Sequence, residues 1–167
     1  MLNLIHYSDS AVPIQFRNKS QHPDKNYAFG KPIGLWVTPE HVEMNWKEWC
    51  EAEGFSPQRL KYIHDVVLSE NANILRIKTN EELLAFDREY GDTASGRPDR
   101  YKNIKWYDVA EKYHGILISP YQWDSRFPLL WYYGWDCASG CIWNREAISS
   151  IIPRVETGVE HATEQAC

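Results

Sequence analysis

The sequence predicts an α+β fold: a single domain of mixed or antiparallel sheets with short helices. Three observations carry that expectation. Segments 2–8, 73–78 and 115–121 are apolar or alternate at the period of a strand. Helical signals lie at 38–54, 79–91 and 106–113. The order is two strands, then helices, then several strands late, without the strict alternation of a doubly wound parallel sheet. A chain of 167 residues is long enough to bury a real core as one domain. That domain is expected over residues 1–153, with 154–167 as a polar, flexible C-terminal tail.

The elements are justified in order. Leu2-Asn3-Leu4-Ile5-His6-Tyr7-Ser8 reads as a first strand with His6 near its C-terminal end. Residues 9–31 form a long polar connection whose cations are Arg17, Lys19 and Lys25, and loops of that length often bind or cover ligands. A second strand follows over 31–38. Thr38 then has the chemistry of an N-cap, with Pro39 at the first helical position and Glu40 in the first turn. That helix would carry Val42, Trp46, Trp49 and Cys50 on one core-facing side and end at Gly54. Segment 57–69 permits either a helix or a strand. After the strand at 73–78, Thr79-Asn80-Glu81-Glu82 matches a capping box that opens a helix through Leu83, Phe86 and Tyr90. Residues 91–103 read as a loop, 106–113 as a short helix, and 115–121 as a buried strand stopped by Pro120. Residues 134–140 have the composition of a bend, 141–144 alternate as a strand, and 145–152 are expected to form a last turn or short helix.

Composition narrows the function. Eight Trp and ten Tyr make the chain rich in aromatics, and its net charge of −5 argues against a basic surface tracking a phosphate backbone. Arg97, Arg100, Lys102 and Lys105 are the one local basic group, with a solvated loop as the plainer reading. No apolar run approaches the ~20 residues of a membrane-spanning helix, and the N-terminus has no basic, then apolar, secretion pattern. Cys50, Cys137, Cys141 and Cys167 give no dense disulfide framework. A cytoplasmic chain with reduced thiols is expected. Cys137 and Cys141 have a C-x-x-x-C spacing, but no second pair of Cys or His completes a zinc site, so no metal is expected. The Gly-rich phosphate loops, the hydrolase nucleophile elbow and the H-E-x-x-H zinc motif are all absent from the sequence.

The most informative stretch is Trp131-Tyr132-Tyr133-Gly134-Trp135-Asp136-Cys137-Ala138-Ser139-Gly140-Cys141-Ile142-Trp143-Asn144. Aromatic walls around one carboxylate suit a flat, polar, ring-bearing ligand. The plainer alternative is an aromatic-rich β core with Asp136 as a turn residue.

A His closing the first strand, Gly34-Leu35-Trp36-Val37-Thr38 on the second, Tyr113-His114-Gly115-Ile116 leading into a later strand, and an acid before the closing strand occur in that order. This succession resembles the ADP-ribosyltransferase fold, in its branch with a His, an aromatic and an acid. Residues 106–116 are similar to the short helix and Tyr-x-Gly-Ile strand of small members. The resemblance implies an NAD-dependent ADP-ribosyltransferase that modifies a macromolecule, protein or nucleic acid, with nicotinamide as leaving group. NAD is then substrate, and a phage or bacterial effector is the implied setting. By that resemblance His6, with Tyr7 and Ser8 beside it, contacts the ribose of the adenosine half. Trp36 or Thr38 takes the second-strand position, and Asp136 supports the nicotinamide ribose as the glycosidic bond breaks. Two departures stand out: Trp36 replaces the usual Tyr or Ser, and Asp136 replaces a Glu, with Glu146 as the reserve acid. Trp36, Trp131 or Trp135 could sandwich the cationic nicotinamide ring, and Arg17, Lys19 or Arg126 could meet the pyrophosphate. A weaker form only hydrolyses NAD. The alternative of another class is a non-enzymatic aromatic cleft binding a nucleotide, single-stranded nucleic acid or a peptide.

Overall fold

The strands β1 (Leu4–Ser8) and β2 (Leu35–Pro39) lie in the middle of a seven-stranded mixed sheet, and the site is built where they separate. The computed structural model describes residues 3–22, 30–92 and 102–154. The remaining strands are β3 (Tyr62–Leu68), β4 (Ile74–Ile77), β5 (Gly91–Asp92), β6 (Asn103–Ile104), β7 (Gly115–Ile118), β8 (Ser139–Ile142) and β9 (Ile148–Pro153). The sheet order is β4-β7-β8-β2-β1-β3-β9, with β5 and β6 as a separate pair. Within the large sheet β4 and β7 pair in parallel and the other neighbours are antiparallel. Among the described residues, four short α-helices complete a single-domain α+β fold: α1 (Trp46–Glu53), α2 (Asn80–Tyr90), α3 (Trp106–Lys112) and α4 (Leu130–Tyr133).

Strand alternation divides the core between the two faces of this sheet. Ile116, Ile118 and Cys141 point into a cluster with Leu83, Phe86, Trp106, Trp131 and Trp135 under α2 and α3. Leu117 and Ile142, their neighbours in sequence, point the other way, toward Leu4, Leu35, Val37, Val66 and Ile148. All four residues of β7 are therefore buried, as expected of a strand covered on both faces. The strands beside it approach closely because Gly140 has no side chain: a Cβ there would lie 2.4 Å from the carbonyl oxygen of Ile116.

Helix α2 begins as the sequence predicts. Glu82 N–H donates to Thr79 Oγ1 at 3.2 Å, and Glu82 Oε2 accepts from Thr79 N–H at 3.2 Å. Gly54 likewise ends α1 in the left-handed region, at φ 62°. Three expectations are corrected and one open alternative is resolved. Thr38 does not cap α1: β2 runs on through Pro39, which pairs with Leu4, and Asn45 is the N-cap. Trp46 and Trp49 are only half-buried; they stack on each other at 5.2 Å, outside both core clusters. The ambiguous 57–69 segment is a 3-10 turn followed by the strand β3. Residues 145–152 are mostly strand, because β3 offers an open edge that β9 fills from Ile148 to Pro153. Of the basic group, Arg97 and Arg100 lie outside the described residues, as do Lys25, most of the expected tail and Cys167.

Candidate functional site

The β1–β2 ladder holds only two residue pairs, Leu4 with Pro39 and Ile5 with Thr38. Both strands continue past that point, β1 to Ser8 beside β3 and β2 back to Leu35 beside β8, without pairing further with each other. His6 fills the first step of the gap: its Nδ1 lies 2.7 Å from the carbonyl oxygen of Trp36. A carbonyl only accepts, so Nδ1 carries the hydrogen and Nε2 presents its lone pair. That second nitrogen has no partner among the described residues.

A cleft of about 310 Å³ opens at this split. Ile5, His6 and Tyr7 of β1 line it with Trp36, Val37 and Thr38 of β2, and Trp46, Trp135, Ser139, Lys31 and Arg59 complete the wall. Trp36 and Trp135 meet edge to face at 5.0 Å, and of the two the half-buried Trp36 keeps ring surface available to a flat ligand. Trp135 is held from below, 1% exposed, with its Nε1–H donating to the Ser139 carbonyl at 3.3 Å. Thr38 ties three walls together. Its hydroxyl donates to the Ala138 carbonyl at 2.7 Å and accepts from the Trp46 amide at 3.1 Å.

The electrostatics are one-sided. Burial lowers the His6 pKa below 6.5; the Trp36 carbonyl opposes that shift, and His64, its cross-strand partner, adds to it. The imidazole is neutral at pH 7. Lys31 and Arg59 are the cations lining the cleft, and none of the residues lining it is a carboxylate. Arg59 makes no side-chain hydrogen bond or ion pair among the described residues. Lys31 stands 5.5 Å over the Trp36 ring and 3.4 Å from Asp136 Oδ2.

The proposed site residues therefore separate into groups. His6, Tyr7, Trp36, Thr38 and Trp135 converge on the cleft. Asp136 stands one ion pair away, behind Lys31, in a bend where its own φ is 67°. Trp131 belongs to the core, 3% exposed, with its Nε1–H donating to Asp87 Oδ1 at 2.9 Å. Ser8 closes a local turn with Ser10, and Arg17 is exposed; neither lines the cleft. Lys19 lines a different hollow, beside Trp143. Arg126 lies among Trp123, Phe127 and Tyr133. Glu146 is exposed in the 3-10 turn after β8 and does not line the cleft. Sequence reasoning missed six of the lining residues: Ile5, Val37 and Ser139, which belong to the strands themselves, and Lys31, Arg59 and Trp46. Lys31 carries a weak local signal, a cation just ahead of a strand; Arg59 and Trp46 carry none, since only the fold brings their segments to β1.

Cys137 and Cys141 are buried free thiols. Burial pushes Cys137 up to about 12 and raises Cys141 further, so neither is a thiolate nucleophile at neutral pH. Among the described residues, no group of three His, Cys, Asp or Glu side chains is placed to hold a metal ion, and no helix is long and apolar enough to cross a membrane. Comparison of the chain with protein-family models, with curated proteins and with solved structures finds no match.

Proposed function

We propose that the cleft binds NAD and that the protein transfers ADP-ribose from it to a macromolecular acceptor. The observation that carries this proposal is the convergence of His6, Trp36, Thr38 and Trp135, from three separate parts of the chain, on one hollow at the β1–β2 split. The lining matches the chemistry of a dinucleotide. The half-buried indoles of Trp36 and Trp46 suit its flat rings. Lys31 and the unpaired Arg59 suit its pyrophosphate, Arg59 taking the role first considered for Arg17, Lys19 or Arg126. The Nε2 lone pair of neutral His6 can accept from a ribose hydroxyl.

In the reaction the bond between the nicotinamide nitrogen and the anomeric carbon breaks, and its electron pair leaves with nicotinamide. An acceptor nucleophile bonds to the same carbon and gives up its proton to solvent. Positive charge builds on the ribose in between, and a preorganised carboxylate stabilises it. Asp136 is the candidate, because it pairs with Lys31 of the cleft. A pyrophosphate that draws Lys31 toward itself would release it.

Labelled NAD and a cell lysate test the proposal. Wild-type protein should leave label on protein or nucleic acid, told apart by protease and nuclease digestion, while His6→Ala and Asp136→Asn should lower transfer by roughly a hundredfold or more. Transfer at the wild-type rate by both variants defeats the assignment. Release of free ADP-ribose without acceptor would mark the simpler NAD hydrolase.

One observation favours a second reading, a nucleotide-binding module without catalysis: no carboxylate is among the residues that line the cleft. Quenching of tryptophan emission by NAD, with no nicotinamide released over hours, would select it.

A further inference from the structure

Between β7 and β8 the chain builds a second surface that the cleft does not use. Trp123 is 50% exposed, Phe127 72%, Tyr133 47% and Leu130 38%. Their neighbours Leu129, Trp131 and Tyr132 are buried, so this short segment sends one set of side chains inward and displays the other. Exposed apolar side chains gathered in one patch are a mark of interaction surfaces.

Arg126 sits among them. Its guanidinium carbon lies 5.5 Å from the Tyr133 ring, 5.7 Å from Trp123 and 5.8 Å from Phe127. The side chain has five N–H donors and makes no hydrogen bond or ion pair among the described residues. Its Nε is buried without a partner, and so is the hydroxyl of Tyr121. The Tyr121 ring meets Trp123 edge to face at 4.9 Å, and Arg126 acts on its hydroxyl electrostatically. Unsatisfied donors thus stand at the foot of an apolar rim, and an oxyanion is the group that ring faces cannot replace.

Charge decides which oxyanion. A nucleic acid would need several cations to follow its phosphates, whereas this patch offers one, on a chain of net charge −5 with Asp124 exposed beside it. A single carboxylate set among apolar side chains matches a single guanidinium set among rings, and Trp, Tyr and Arg are the residues that dominate protein–protein binding energy. We propose that the face formed by Trp123, Arg126, Phe127, Leu130 and Tyr133 docks a protein segment that places an Asp or Glu carboxylate on Arg126 and apolar side chains against the rings.

The test uses the full chain and a displayed library of random dodecapeptides, with the selected peptides then synthesised and their affinity measured by fluorescence anisotropy. The selected peptides are expected to carry an acidic residue beside apolar ones. They should lose roughly tenfold or more in affinity when Arg126 becomes Ala, or when their own acid becomes the amide. Arg126→Lys should keep part of the binding. Because Phe127 is largely exposed, Phe127→Ser should preserve the fold and weaken the same peptides, which keeps the test valid if Arg126→Ala unfolds. Peptides that bind without an acid, or bind Arg126→Ala as well as wild type, overturn the proposal. So does tighter binding of oligothymidine that depends on Arg126, or self-association of the protein that disappears with the same substitution.

Discussion

Replacing Thr38 by Val removes one hydroxyl and leaves the side chain's shape almost unchanged. The residue is 2% exposed, and its hydroxyl joins β2 to the Ala138 carbonyl on one side and to the first amide of α1 on the other. The Ala138 carbonyl loses its side-chain donor in a buried setting, which costs about 1–3 kcal/mol; the Trp46 amide is partly buried and adds about 0.5–1.5 kcal/mol. Against these stands a small gain from burying a methyl group. A net loss of about 1–4 kcal/mol is expected, or on the order of 2–16 °C in Tm for a chain of this size. Urea unfolding followed by tryptophan emission measures it, with an unchanged m-value required for a two-state comparison. Thr38→Ser, which retains the hydroxyl, should lose less than half as much. A Thr38→Val midpoint within about 0.5 kcal/mol of wild type would refute the idea that this hydroxyl holds the cleft walls together, since surface substitutions fall in that range.

Two further outcomes follow from charge. Arg154 donates to both Glu40 and Asp65, with Arg154 Nη2 at 2.7 Å from each carboxylate, and this holds the Glu40 carboxyl down to about 2 from its usual 4.5. A depressed carboxylate stabilises the fold above its unfolded pKa, and that stabilisation is lost as pH falls from about 4.5 toward 2. Arg154→Ala should flatten that part of the acid-unfolding curve and lower stability at neutral pH by about 1–2 kcal/mol; an unchanged acid limb would contradict it. His6 should titrate below 6.5 in NMR and be protonated on Nδ1 when neutral, because its folded pKa is lowered by burial. Its contribution is complete above about 6.5 and is lost as pH falls through the lower folded value. A His6 midpoint above 6.5 would remove the neutral acceptor from the cleft.

Much of the fold could be read along the chain. The capping box at Thr79 fixes the start of α2, because its donors and acceptors lie within one turn of each other. The apolar run Gly115–Ile118 identifies a strand buried on both faces for a similarly local reason. Thr38 shows where local reading fails. Thr-Pro-Glu has the chemistry of a helix start, but the sheet claims Thr38 and Pro39 for pairing with β1, and a tertiary contact then gives the hydroxyl other partners. The strand β9 was hidden for the same kind of reason, since its pattern matters only beside the open edge of β3. At the site, His6 was legible from its place near a strand end, while Trp36 was picked out through the resemblance alone. Arg59 was not legible: a cation in a short turn is ordinary until the turn is laid against β1. Trp131 and Trp135, alike in sequence, part company because the short helix α4 turns Trp131 toward Asp87, and Trp135 lies past its end, where it reaches the cleft.

The position of Asp136 gives the catalytic proposal its hardest test. Its φ of 67° is in the left-handed region, which Asp and Asn tolerate better than most residues. The sequence could therefore place Asp there for its backbone alone, with the Lys31 contact as a surface pair worth about 0–1 kcal/mol. Asparagine separates the two roles, because it keeps the backbone preference and removes the charge. If the carboxylate acts on the ribose, Asp136→Asn should abolish transfer while its unfolding midpoint stays within about 1 kcal/mol of wild type. If the residue only shapes the bend, Asp136→Asn should be silent in both assays, and Asp136→Ala should destabilise by about 1 kcal/mol or more through backbone strain. Lys31→Ala adds an independent check. It should weaken NAD binding by taking a cation from the cleft, yet leave residual turnover to Asp136, which no longer needs to be released. Turnover lost in Lys31→Ala but kept in Asp136→Asn would exchange their roles and leave the cleft without its acid.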